Sequence, residues 1–537
     1  MKTLYYNGSL YTGDPGFPMA SAMTVESGVI LWVGQDPENQ EADQKVNLKG
    51  RFVTPGFIDS HMHVVEYGKL LKEVPLADST GSVEQVCGRV RDFIRDNQVP
   101  EGTWVCGRGW NQDYFQDEKR FLTCRDLDRI STEHPVYLAR ACGHVVSVNS
   151  KAMELAGITR ETCQPSDGHF QVDDQGEPNG VFEENAVSMI KRVIPAVTVD
   201  RVREYILEAE KSLNSFGITS VHTDDFLSLS GVDYEMVLEA YRQLEKEGRL
   251  TIKICEQSQF EDLEQLKGFV EQGYHTGAGT DYVKIGPMKI ISDGSLGART
   301  ACLSQPYADS PDTSGIPIFS QEQLDEMIAW GHCHGMQAAV HAIGDGSMEQ
   351  VVSAIEKALL EYPREDHRHG IVHCQITTKD LLGKFKELSL HAYIQSIFLD
   401  YDSKIVESRV GQERALDTYQ FKTLMDMGCD VSNGSDCPVE TPSVMKGIQC
   451  AVTRTSLDGS RTFLPAQALT VEEALASYTV MGARASFEEE KKGMLRPGMA
   501  ADFVVFPQNL LETPPDSLGR VPVDETWVDG IRVYKRS

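Results

Sequence analysis

Short runs of apolar and β-branched residues open the chain. Residues 4–10, 22–26, 29–33 and 45–48 read as strands, punctuated by Asn-Gly and Ser-Gly turns. Similar runs close it at 502–506 and 526–534. Matching β-rich ends predict one composite β-sandwich built from residues 1–54 and 488–537. Between the ends the period changes. From about residue 201, helices at 202–216, 234–247 and 348–361 alternate with strands at 217–222, 250–254, 283–291, 337–341, 370–373, 390–395 and 430–433. Helix then strand, repeated, predicts an α/β protein with βα units and a parallel sheet. The segment from about 64 to 200 is too long for one βα loop and predicts an inserted subdomain. No internal repeat or low-complexity segment interrupts the pattern.

Composition narrows the partners. In 537 residues, 41% hydrophobic and 24% charged, there is ample material for a large core. Acidic residues outnumber basic ones 80 to 51, a formal charge of -29, which argues against nucleic acid and anionic membrane surfaces and favours a small neutral or cationic substrate. The first eight residues lack the apolar run of a signal peptide, and no window approaches the roughly 18 apolar residues of a membrane helix, so the cytoplasm is expected. The expected assembly is a homodimer. Twelve cysteines without a CxxC pair suggest neither a zinc ribbon nor a disulfide framework. Cys374 and Cys437, each beside a candidate site residue, read as small core residues.

The chemistry starts at TPGFIDSHMH, residues 54–63. Side chains alternate along a strand, so His61 and His63 share a face, with Asp59 in the same parity. Two neutral imidazoles on one face can grip a divalent cation. Alone the pair decides nothing. His341 and His373, however, end two later predicted strands, and Asp436 follows another, at the strand ends where a parallel α/β barrel builds its site. Lys289 lies in an apolar strand, where burial favours the neutral amine. Lys284 competes with it, and Glu183 is an alternative carboxylate for a metal. His332, His334, His367, His369 and His391 read as surface or helix-end residues. Glycine-rich phosphate loops and a G-x-S-x-G elbow are absent, which removes phosphoryl transfer and serine hydrolysis.

These motifs resemble the amidohydrolase superfamily. PGFIDSHMH is similar to its first barrel strand, GSDCPV to its last-strand aspartate motif, and KKGMLRPGMAADFVVF to its return from barrel to sandwich. SDGSLGART resembles the family 3 branch, that of N-substituted-formamide deformylase-like hydrolases. The resemblance implies a (β/α)8 TIM-type barrel over 55–487, with the insertion covering its mouth. It implies one or two divalent metals, zinc being expected, held by His61, His63, His341, His373 and Asp436. Lys289 would bridge two metals as a carbamate, and Asp436 would also be the general base. Activated water would then hydrolyse a C–N amide-type bond of an N-acyl or N-formyl amine. Trp110, Asn111, His144, Glu183, His222, Asp293 and Arg299 would contact substrate. The rival is a non-catalytic barrel used for binding or scaffolding; such proteins tend to lose ligands, and here all five are present.

Overall fold

Phe57–Met62 (β1), Ile218–Thr223 (β2), Lys253–Gln259 (β3), Val283–Ile291 (β4), Ala338–Ala342 (β5), Gly370–His373 (β6), His391–Ile394 (β7) and Val431–Asn433 (β8) lie side by side in chain order. Every ladder between them is parallel in this computed structural model, which describes residues 1–78, 81–116 and 118–537. All six residues of β1 and all six of β2 are buried, as both faces of a helix-covered parallel sheet must be. The helices return the chain to the start of the next strand. Tyr234–Lys246, for example, starts at Asp233, whose carboxylate accepts the Met236 N–H, and buries Val237, Leu238, Tyr241 and Leu244 while Glu235, Glu239 and Arg242 face water.

The last strand meets the first through polar links. The Asp59 carboxylate accepts the Ser435 hydroxyl at 2.6 Å and its N–H at 3.0 Å, and the Asp436 N–H donates to the His61 carbonyl at 2.8 Å. A Cβ on Gly434 would stand 2.6 Å from the His61 nitrogen and 2.8 Å from Asp59 Oδ1, so only glycine permits this approach. The eight strands thus make a nearly closed TIM-type barrel.

The chain divides into two compact units, residues 1–66 with 202–537, and residues 67–201. In the first unit, strands from both termini share one six-stranded sheet, in which Phe503–Phe506 pairs with Phe52–Pro55 on one side and Glu525–Val528 on the other. Tyr5, Met23 and Ile30, from a separate four-stranded sheet near the N-terminus, pack with its Phe503 and Val505, and Trp527 stacks on Phe503 with ring centres 5.3 Å apart. Residues 526–534 are a hairpin rather than one strand, because Asp529 and Gly530 both take positive φ and turn the chain. The run 4–10 likewise breaks at Asn7, φ 58°.

The second unit has its own six-stranded sheet, with Val105–Trp110 and Val136–Arg140 near its middle, and its own core. Trp110 belongs to that core: it is fully buried against Phe115 and Phe121, and its indole N–H donates to the Leu138 carbonyl at 3.1 Å. Among the described residues no helix is long and apolar enough to cross a membrane. Of the histidines read as surface or helix-end residues, His332 does lie in the last turn of a helix, but it, His367, His369 and His391 are all buried. His332 Nδ1 meets His369 Nε2 at 2.8 Å, His367 Nε2 bonds the Leu388 carbonyl at 2.9 Å, and His391 Nε2 bonds the Ser432 hydroxyl at 2.7 Å. Each is tied down by a hydrogen bond that only the folded chain supplies. His334 alone caps a helix at the surface.

Candidate metal centre

The ends of β1, β5, β6 and β8 bring four imidazoles and a carboxylate together, and hydrogen bonds fix which ring nitrogen faces inward. His61 Nδ1 bonds Gln257 Oε1 at 2.6 Å, and the Gln257 amide nitrogen donates to the Ser60 carbonyl, which orients that oxygen. His63 Nδ1 bonds the Asp224 carbonyl at 2.8 Å, and His373 Nδ1 bonds Gln395 Oε1 at 2.8 Å. A carbonyl oxygen can only accept, so each Nδ1 carries the proton and each Nε2 presents a lone pair. His341 is reversed: its Nε2 bonds the Gly294 carbonyl at 3.1 Å, which leaves Nδ1 bare.

The bare nitrogens converge. His61 Nε2 and His63 Nε2 lie 3.3 and 3.2 Å from Asp436 Oδ1, and ligand atoms of the three residues fall within 4.8 Å of one another. His373 Nε2 stands 2.8 Å from His341 Nδ1, and the His61 and His373 rings are 5.7 Å apart. Two lone pairs at that spacing repel unless positive charge sits with them. Burial, then neighbouring His341, holds His373 well below the ordinary imidazole range, so a proton is a poor candidate. A metal cation satisfies both nitrogens at once.

Asp436 supplies the negative side. Burial alone would raise its carboxyl, but the His61 and His63 imidazoles outweigh burial and hold it well below the usual range. Reciprocally, burial opposes charge on His63 while Asp436 lifts it to about 9, so without a cation His63 Nε2 holds a proton against Asp436, and a bound cation would take that proton's place. Both chain positions are strained, with φ of 56° at Asp436 and 85° at His373, and the barrel closure around them holds these geometries. Lys289, 3% exposed on β4, donates to Asp224 Oδ2 at 3.1 Å, and Asp224 is itself 1% exposed. Its competitor Lys284 is committed to an ion pair with Glu488.

Residues 44–534 match the model of the amidohydrolase family. The chain belongs to this family. The amidohydrolase is 32% identical to YtcJ of Bacillus subtilis over the whole of both chains. It is 24% identical to the N-substituted formamide deformylase of Arthrobacter pascens, over 99% of this chain and 98% of that one. The crystal structure of an uncharacterized metal-dependent hydrolase from Pyrococcus furiosus superposes with a TM-score of 0.76 at 30% identity, covering 95% of this chain and 100% of the other. The family is one of metal-dependent hydrolases, and the donor set of this amidohydrolase fits a divalent cation: neutral imidazoles and a carboxylate, each imidazole oriented by a second hydrogen bond.

The other sequence-predicted residues of the amidohydrolase lie as follows. Asp293 accepts the backbone N–H groups of Cys302, Ile343 and Gly344, and its Oδ1 is 3.3 Å from His341 Nε2, so it braces the loop that carries His341. Arg299 is taken up by a two-pronged pair with Asp309, both contacts at 2.9 Å. His222 is buried edge-on to Tyr393, with neither ring nitrogen hydrogen-bonded among the described residues, and burial holds it at about 3. In the second unit, Asn111 caps a short helix and accepts from Arg140, exposed His144 pairs with Glu184 at 3.0 Å, and Glu183 accepts from Gln171 at 2.9 Å. None of these, nor core-bound Trp110, belongs to the ligand cluster found among the described residues.

Two features were not anticipated from the sequence. Asp224 directly follows β2, as His341 and His373 sit at the ends of theirs, and that position was its only signal. A cavity of about 180 Å³ in the first unit is lined by residues that follow the ligands: Ile343 after His341, Gln375 after His373, and Val439 and Glu440 after Asp436. Phe398, also in its wall, stacks on the His373 ring at 5.9 Å.

Proposed function

We propose that this amidohydrolase hydrolyses a C–N amide-type bond of a small N-acyl or N-formyl amine. The observation that carries the reading is the set of bare imidazole nitrogens, His373 facing His341 and His61 and His63 facing Asp436, beside a small cavity. His61, His63, His341, His373 and Asp436 would hold the cation, zinc in this reading. A bound divalent cation supplies Lewis acidity and makes water a usable nucleophile near neutral pH. Asp436 is kept anionic by its surroundings and takes the proton of the attacking water; it then delivers that proton to the departing nitrogen as the C–O bond forms and the C–N bond breaks. The products are a carboxylic acid and an amine. Its similarity to a protein named for deformylating N-substituted formamides supports this class. Protein loaded with zinc is expected to release butylamine from N-butylformamide or N-butylacetamide, and metal-stripped protein is not. If neither amide yields amine while metal is bound, the reading fails for this class.

Lys289 would be the bridging residue after its amine reacts with carbon dioxide. As it stands the amine is the partner of buried Asp224, and a carbamate would set a second anion beside that carboxylate. Carbamate formation would therefore accompany metal loading, when cations offset the two anions. A crystal structure of the zinc-loaded protein is expected to show branched density on Lys289 Nζ. An unmodified amine still paired with Asp224 while two metals are bound would overturn this bridge.

A further inference from the structure

The cavity beside the metal centre carries a charge bias that bears on what it takes. Its walls are apolar on several sides, with Leu296, Ile343, Phe398, Tyr401 and Val439, and none of its ten lining residues is basic. Two are carboxylates. Asp402 is buried and anchored, its Oδ2 accepting the Tyr419 hydroxyl at 2.8 Å. Glu440 is half-buried and forms no ion pair among the described residues; a backbone N–H from Thr441 is the hydrogen bond that favours its charged form. Burial, and then the nearby Asp400, push the Glu440 carboxyl above its ordinary value. Lys446 is the cation of the chain whose charge reaches it, and Lys446 neither lines the cavity nor forms an ion pair with Glu440 among the described residues.

We infer that the cavity selects substrates bearing a cationic nitrogen on the part of the molecule away from the bond cleaved, with Glu440 as the counter-ion. The geometry that carries this is the unpaired Glu440 carboxylate in a pocket without a basic residue, flanked by the aromatic side chains of Phe398 and Tyr401, whose ring faces also attract cations. The volume, about 180 Å³, is below the ~300–1,000 Å³ of drug-sized ligand sites, so the ligand is small. A short alkyl chain ending in an ammonium group suits the apolar walls and the acidic end. The acyl group would face the metal ligands, because Phe398, in the cavity wall, stacks on the His373 ring. This inference rests on the hydrolytic reading above for which end of the molecule reacts, but the charge preference can be measured without turnover.

Three acetamides of similar length and different charge test it by calorimetry on the zinc-loaded full chain carrying Asp436→Asn, which is expected to keep its metal and lose turnover: N-acetylcadaverine (cationic), N-hexylacetamide (neutral) and N-acetyl-6-aminohexanoate (anionic). The cationic compound is expected to bind about tenfold more tightly than the neutral one, with the anionic one weakest. Glu440→Gln should bring the cationic and neutral compounds to within about threefold, and Val439→Lys, at an exposed position in the same wall, should do likewise. Melting temperature and metal content show whether the variants remain folded. Equal binding of the cationic and neutral compounds, a preference undiminished in Glu440→Gln, or no binding of any of the three would overturn the inference. A clear preference without amine release from any compound by the parent protein would sink hydrolysis of this class and leave the pocket assignment intact. Amine release with no charge preference would do the reverse.

Discussion

Replacing His61 and His63 together by alanine is expected to leave purified protein without stoichiometric metal. Both imidazoles present Nε2 within 3.3 Å of Asp436 Oδ1, and both are locked in that tautomer, His61 by Gln257 and His63 by the Asp224 carbonyl. Their loss removes two of the three ligands of the tightest cluster and leaves Asp436 buried without its partners, a condition that costs about 3–5 kcal/mol for a buried pair broken on one side. Folding is therefore checked by circular dichroism, and the single variant His63→Ala, at the more exposed of the two positions, serves if the double variant fails to fold. Metal per chain, measured by inductively coupled plasma mass spectrometry, reads the outcome. Full occupancy in a folded double variant would remove β1 from the metal centre.

Asp436→Asn separates holding a cation from moving a proton. Asparagine keeps the shape and a carbonyl oxygen able to coordinate, but it cannot accept and pass on the proton of water. The variant is expected to retain most of its metal while turnover of N-acetylcadaverine, or whichever of the assayed amides the parent cleaves best, falls by a factor of about 10² to 10⁴. Turnover within threefold of the parent's would exclude Asp436 as the proton carrier; loss of metal in parallel with turnover would make it a ligand alone.

Much of this was legible in the chain, and the reason is the repetitive chemistry of a parallel barrel. Strands buried on both faces leave nearly unbroken apolar runs, so Val283–Ile291 and Gly370–His373 could be bounded to the residue. Candidate ligands at strand ends follow from the same rule; in the fold His61 and His63 contact Asp436, His373 contacts His341, and Lys289 contacts Asp224. What resisted reading depends on partners distant in sequence. Nothing near His369 announces that His332 will bond its ring from 37 residues away. Trp110 lies in a motif that looks functional, yet its indole fills a core whose other members come from elements spread over residues 74–138. Asp224 was overlooked because an aspartate after a strand is usually a turn or cap, and only the buried amine of Lys289 marks it as different. Glu440 has no motif at all: its interest is a place in the cavity wall with no ion pair among the described residues, which a sequence cannot display.

The junction between the first and last barrel strands sets a timetable. His61 and Asp436 are joined by a backbone hydrogen bond and bring their side chains within 3.3 Å, although nearly four hundred residues of chain separate them. Bringing such distant positions together carries a loop-closure cost that local helices do not bear, and contacts of this kind tend to form late. On a ribosome, a nascent chain that has not yet delivered Val431–Asn433 and the residues after it has at most the histidine half of the centre. A fragment truncated before Asp436 would therefore lack the carboxylate side of the proposed site, whatever else of the barrel it has managed to fold.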